Sequence, residues 1–417
     1  MKKLVLTVSL VSLLAHGAFA KDVHVTVVHM QQNPGELKLM DEMARTYEAS
    51  HPGVKIDIRK FGDDYKTTLA TSLQSNDPPS IIYSWGGGVL TDQVKAGLLR
   101  SVDGKISAET KAAAGTVGVD AFTRDGKLYG IAQNVSQVVF WYNKDLFKKS
   151  GVDPASMASW DGFLAGVAKL KEAGITPLAM GSKDKWPAAF FWDYLAIRLA
   201  GRSGMEAARD GKNGGFAGPE FVKAGEEFLR LSKLAPYQKG FEAAGYPSAS
   251  GTFGDGKAAM ILMGDWNYQE SKTNSSSGKG LSDEQLGFFT FPAVASQKGT
   301  ERDTLGGING WIFSKAAPDE AIDFMAWYQK PENISQFAKA GYYIPINPKA
   351  ADSLANPFLK QIAQNISASP YHAIFFDQSL GLSAGGAVND VSAALTSEAI
   401  SAKQAAQDVE DAMALDR

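Results

Sequence analysis

The sequence predicts an α/β protein of two lobes linked by crossing strands. The chain has 417 residues, more than a single core of ordinary size accommodates. Residues 23–60 read as strand, helix and strand, the repeating unit of an open sheet. Two runs, LYGIAQNVSQVVFWYNKDLFK at 128–148 and LGGINGWIF at 305–313, read as backbone passing from one packed unit to another.

The first residues are read as an export leader. A basic MKK precedes an apolar run at 4–14 that is too short to span a bilayer, and Ala18 and Ala20 offer small residues for cleavage after position 20. With no cysteine for lipid attachment, a soluble periplasmic protein is expected rather than a lipoprotein or an inserted one. The absence of cysteine also excludes thiol nucleophiles, thiolate metal ligands and disulfides. Two lysines leave with the leader, so 40 basic residues face 45 acidic ones, a formal charge of −5. No basic cluster points to nucleic acid.

Along the chain, VHVTVVH at 23–29 thickens into a buried parallel strand. Residues 36–50 follow as a helix with Leu37, Met40, Met43, Ala44 and Tyr47 on one stripe, and VKIDIRK returns as a strand. A helix at 65–73 and a strand at 80–84 repeat the pattern. Trp85 and three glycines at 86–88 then stand at the strand's carboxyl end, where backbone can approach a ligand closely. The glycines lack the GxGxxG spacing of a dinucleotide site. A helix is expected to close at 94–99, and 106–122 reads as mostly helical. The stretch at 128–148 carries a polar turn around Gln133, Asn134 and Ser136, then a strand holding Trp141 and Tyr142, then a short helix from Lys144.

Beyond it, a helix starts near Trp160, a strand is expected at 175–180, and Trp186 is placed on a polar turn before an aromatic helix at 187–199. An amphipathic helix spans 219–234, then come a loop at 237–250, a helix entry at 250–255, a buried strand at 257–263 and an exposed polar loop at 271–280. A strand at 286–291, helices at 318–328 and 334–340, and a tail helical in two pieces around 381–386 complete the pattern.

Several of these pieces, in order, resemble the family-1 extracellular solute-binding proteins of ABC importers, the maltose-binding-protein-like carbohydrate group. They are YGIAQNVSQVVFWYNKDLFKKSGVDPASMASWDGF, GTFGDGKAAMILMGDW, and GGINGWIFSKAAPDEAIDFMAWY with the later GYYIPINPKA. The resemblance implies the periplasmic-binding-protein fold, with residues 21–132 and 306–345 in an N-terminal lobe and 133–305 and 346–417 in a C-terminal lobe. It also implies a carbohydrate held in the cleft between hinged lobes, delivery to a membrane permease, a monomer and no catalysis.

A sugar offers hydroxyls around its ring and apolar C–H faces, so its site needs aromatic faces together with amides and carboxylates. Trp85, Trp141, Tyr142, Trp186, Trp266 and Trp311 are the aromatic candidates; each has core packing as its plain alternative. Asp265 is the leading polar candidate, against a surface-turn aspartate. Gln32, Glu36, Asn134 and Asn309 join it, although turns use such residues anyway. The number of rings favours an oligosaccharide. A polyamine, glycerol phosphate, ferric iron or a peptide is the alternative ligand.

Against an enzyme, the histidines at 24, 29, 51 and 372 have no metal-binding spacing and no GxSxG is present. A carboxylate pair such as Glu36 and Asp265 is open to a glycosidase reading, yet serves equally as hydroxyl acceptors. No cofactor or metal is expected.

Overall fold

The computed structural model describes residues 22–61 and 65–417; the leader read at 1–20 lies outside the described residues. A six-stranded sheet carries the first core. Its strands run in the order Ile344–Pro345, Gly130–Val135, Ile308–Phe313, Ile81–Trp85, Val23–His29, Val54–Lys60. Val23–His29 is parallel to both neighbours, and each parallel pairing needs a crossover between its strands. Pro34–Ser50 supplies the first. Asn33 caps it by accepting from the amide of Gly35 at 2.9 Å, Pro34 presets the opening φ, and Met40, Met43, Ala44 and Tyr47 face the core. Ile308–Phe313 enters antiparallel between Ile81–Trp85 and Gly130–Val135, so a late segment of the chain completes an early sheet.

The second core surrounds a three-stranded antiparallel sheet of Met260–Gly264, Val138–Asn143 and Leu286–Phe289, with Val138–Asn143 in the middle. Helices Trp160–Glu172, Trp186–Arg209, Pro219–Ser232, Gly381–Thr396 and Ala402–Asp416 contribute to it. The apolar side chains fall into two clusters accordingly. The chain passes between them after Val135, after Gly306 and around Ile344.

Several sequence expectations are corrected. Gln133 and Asn134 lie within strand Gly130–Val135, not in a turn, because neighbouring strands take up their backbone and buried partners take up their amides. Residues 175–180 form no strand; Leu178 makes only isolated bridges, to Tyr237 and Met260. The helix after the glycines runs Gly88–Lys95 and has ended before 99. Helix Tyr246–Gly254 starts within the stretch read as loop, earlier than the helix entry expected at 250–255, and helix Asn267–Thr273 takes the start of 271–280, with Ser271 buried. Residues 381–386 are not a break: helix Gly381–Thr396 runs through them. A Cβ on Gly385 would sit 2.7 Å from Asp377 backbone, so its absence lets the short helix Phe376–Ser379 pack directly on that surface.

Candidate functional site

The strand ends of the two sheets face each other across a seam. From the first core come the loop at 30–33, Glu36 on the first turn of Pro34–Ser50, and one end of the six-stranded sheet. Asn309 there is the register partner of Trp85 on one side and Asn134 on the other, so three sequence-predicted residues lie side by side on adjacent strands. From the second core come Asp265 and Trp266, which follow strand Met260–Gly264, and Trp186.

The tryptophans divide sharply. Trp141 has no exposed surface; it sits in the central strand with its ring near Tyr268, Phe288 and Phe358, and its indole nitrogen donates to the carbonyl of Gly264 at 3.2 Å. Trp311 is likewise enclosed: it meets Tyr83 edge-on at 5.1 Å and donates to Oε1 of Gln133. Trp85 is buried edge-on to Tyr65 at 5.8 Å. Tyr142 is half-buried and packs on Phe147 at 4.6 Å.

Trp186 and Trp266 are half-buried and share one ring cluster. Trp186 is the first residue of helix Trp186–Arg209 rather than a loop residue, preceded by Lys185 at φ 63°. It packs on Tyr246 at 5.1 Å and on Phe190 at 5.4 Å. Phe190 stacks on Phe375 at 5.0 Å, and Trp266 stands edge-on to Phe375 at 6.2 Å. The indole of Trp266 lies over Gly264: a Cβ there would come within 2.0 Å of the ring. Phe190, Tyr246 and Phe375 carry no sequence signal of their own, because the fold gathers them from three distant segments.

The polar members are desolvated. Glu36 is 8% exposed, and burial together with Glu270 pushes its carboxyl up to about 8, opposed by a hydrogen bond from Gln31. Glu270, on helix Asn267–Thr273, is itself raised by burial. Asp265 is buried, not a surface-turn residue. Burial pushes it up to about 7, against the amide of Gln137, which donates to its Oδ1 at 3.0 Å. Asn134 accepts from the Tyr83 hydroxyl at 3.0 Å. Gln32 is half-buried in the loop before the helix. Oδ1 of Asn309 and Nδ2 of Asn267 are buried with no hydrogen-bond partner, an arrangement that favours a polar ligand or water. Among the described residues the one buried lysine or arginine is Arg198, which is spent on main-chain carbonyls.

The two sides touch directly. Asn33 Nδ2 donates to Thr273 Oγ1 at 3.1 Å, Gln269 Nε2 to the carbonyl of Ala340 at 3.0 Å, and the amide of Leu382 to Asp92 Oδ2 at 3.2 Å. Gly87 and Gly88 serve this contact, while Gly86 lies against Ala121 of its own core: a Cβ on Gly88 would fall 2.3 Å from the amide nitrogen of Gly381 and one on Gly87 3.0 Å from the carbonyl of Gln378. They admit the opposing backbone, where the sequence suggested a ligand. A separate cavity of about 420 Å³ lies on the outer side of the first core, between Tyr47, His51, Lys105 and Trp327, and includes none of the predicted site residues.

Residues 33–335 match the family model for bacterial extracellular solute-binding protein. An uncharacterized ABC transporter extracellular-binding protein of Pyrococcus horikoshii is 29% identical over 246 residues, 58% of this chain and 55% of that protein, so the match spans about half the relative's length. A structure from work on xylan utilization by the thermophilic bacterium Caldanaerobius polysaccharolyticus superposes with a TM-score of 0.86 at 23% identity, covering 93% of this chain and 99% of the other. A chitin oligosaccharide binding protein superposes at 0.82 with 21% identity, covering 94% and 98%.

Proposed function

The chain belongs to the bacterial extracellular solute-binding proteins, and from that premise we propose that it captures a sugar, in particular an oligosaccharide, between its two lobes in the periplasm and hands it to the permease of an ABC importer. The lobes of this reading are residues 21–132 with 306–345 and residues 133–305 with 346–417, acting as a monomer. The observation that carries it is the pairing of half-buried Trp186 and Trp266 with buried hydroxyl acceptors and amides across the seam. Indole faces suit the C–H faces of a pyranose; Glu36, Asp265, Asn309 and Gln32 suit its hydroxyls. Trp85 and Asn134 border the same sheet end, while Trp141 and Trp311 support the walls from within the cores. The structures superposed above, which concern xylan utilization and chitin oligosaccharide binding, fit the same ligand class.

Among the described residues no lysine is buried and the one buried arginine, Arg198, is occupied by main-chain carbonyls, which disfavours a phosphorylated ligand. Three desolvated carboxyls, Glu36, Asp265 and Glu270, favour a polyamine as the second reading. A thermal-shift screen against mono- and oligosaccharides, polyamines, glycerol phosphate and ferric citrate separates them, since a ligand of the native state raises the midpoint. A shift graded with oligosaccharide length is expected. A silent sugar series with a shift for an amine, phosphate or iron overturns the reading.

A further inference from the structure

Helix Trp186–Arg209 runs behind two of the three crossings, the one by which the chain enters the second core after Val135 and the one by which it leaves after Gly306. The hydroxyl of Tyr194 donates to the carbonyl of Val138 at 2.6 Å and accepts from the amide of Leu305 at 3.1 Å. Val138 opens the strand that follows the first crossing, and Leu305 sits in the short strand Thr304–Gly306 that precedes the second. One side chain therefore holds two segments that are far apart in sequence.

One turn further along, Arg198 has no exposed surface. It donates to the carbonyls of Asp303 at 2.9 Å, Phe291 at 3.0 Å, Glu301 at 3.1 Å and Pro292 at 3.2 Å, with its guanidinium 5.3 Å from the Tyr194 ring centroid. All four acceptors are main-chain oxygens. Burial of the guanidinium is offset by these four bonds and by the charges of Asp303 and Glu301 nearby, and the bonds fix the run 291–303 that leads into the second crossing.

Just beyond these anchors the two crossings touch each other. The amide of Ser136 donates to the carbonyl of Gly307 at 3.0 Å, and the amide of Gly307 donates to Ser136 Oγ at 2.9 Å. A Cβ on Gly306 would fall 1.7 Å from the carbonyl oxygen of Ser136, so the approach requires glycine. Asp265 fastens Gln137 to the second core in the same manner as Tyr194 fastens Val138.

We propose that Tyr194 and Arg198 are positioning residues for lobe movement: they keep Val138 and Leu305 stationary on the second core and confine the rotation to the contact between Ser136 and Gly307. This rests on the reading that the two lobes open and close around a solute; it does not depend on the solute being a sugar.

The chain has no cysteine, so a Lys38→Cys, Glu172→Cys pair places one label on each lobe. Interlobe distances are then measured by electron spin resonance in the full-length mature protein. Tyr194→Phe keeps the ring and removes both hydrogen bonds; it should broaden the distance distribution at least twofold. Phe191→Leu, in the same helix and packed between Phe140 and Phe228, should lower the melting temperature to a similar degree yet leave the width unchanged. A Tyr194→Phe distribution that superposes on wild type, or a Phe191→Leu distribution equally broad, overturns the proposal. Should Tyr194→Phe fail to fold, hydrogen exchange in the wild-type protein decides. The Leu305 amide is expected to exchange at least tenfold more slowly than those of Ser136 and Gly307, and equal rates overturn the assignment. A wild-type protein whose distances ignore every sugar, with Tyr194→Phe still broadened, would sink the sugar reading and leave the positioning role intact.

Discussion

The interior of the three-stranded sheet and its open end use the same side chain for opposite purposes. Trp141, in the central strand, is sealed by neighbours on both faces, whereas Trp266, two residues past the end of the adjacent strand, keeps part of its ring uncovered. The six-stranded sheet repeats half of this contrast, with Trp311 sealed inside it. Indole chemistry is constant; position relative to the strand end decides whether the ring holds a core together or faces what enters the seam.

Trp141→Ala is the strongest way to break the contrast. It should cost about 3–5 kcal/mol of folding stability through cavity formation, read by denaturant melts. A loss below about 1 kcal/mol would mean that the interior ring is not needed for the core. Trp266→Ala should do the converse. It should weaken solute binding by about 2–4 kcal/mol in calorimetry while shifting the unfolding free energy by under about 1 kcal/mol. A binding change under about 0.5 kcal/mol would return Trp266 to packing.

The acids sharpen the comparison through pH. Glu36 and Asp265 have carboxyls raised by burial to about 8 and about 7, so the folded protein binds protons that the unfolded chain has released. The stability they add is therefore fully present at low pH and is lost as pH rises from the unfolded values through the folded ones. Each such group contributes a slope of about 1.4 kcal/mol per pH unit while its folded form remains protonated and its unfolded form does not. Between about pH 5.5 and 7.5 Glu36 accounts for about 2–3 kcal/mol, and Glu36→Gln should remove that share of the slope. An unchanged slope would show that Glu36 is ionised in the folded protein. The smallest effect belongs to Thr273→Val, which deletes the acceptor of Asn33 across the seam and should favour opening by about 0.5–1.5 kcal/mol in the interlobe distance measurement.

Elements with a strong period were legible from sequence, such as strand Val23–His29 and helix Tyr65–Leu73. Reading failed where tertiary partners override composition. Gln133 looks like a turn residue, but its side chain is consumed by Trp311 and Gln329, which makes a buried strand position tolerable for an amide. The glycines at 381–386 look like a break, yet helix Gly381–Thr396 runs through them and the facing short helix needs the missing side chain of Gly385. For the candidate site, the tryptophans beside turn residues could be named in advance. Phe190, Phe375, Tyr246 and Glu270 could not, because each lies in a segment whose pattern is fully explained by helix or loop and becomes a wall only when the cores meet. Tyr194 reads as one more aromatic on a buried helix, and only the two crossings reveal its hydroxyl.

Gly264 gives the open end one more property. Because Trp266 stands past the end of the strand ladder and its ring rests on a residue without a side chain, exchanging that ring for a smaller or more polar one leaves the sheet pairing undisturbed. Selection can therefore retune what the protein carries by single replacements at this spot, while Trp141, a few ångströms inward, is kept unchanged by the demands of folding.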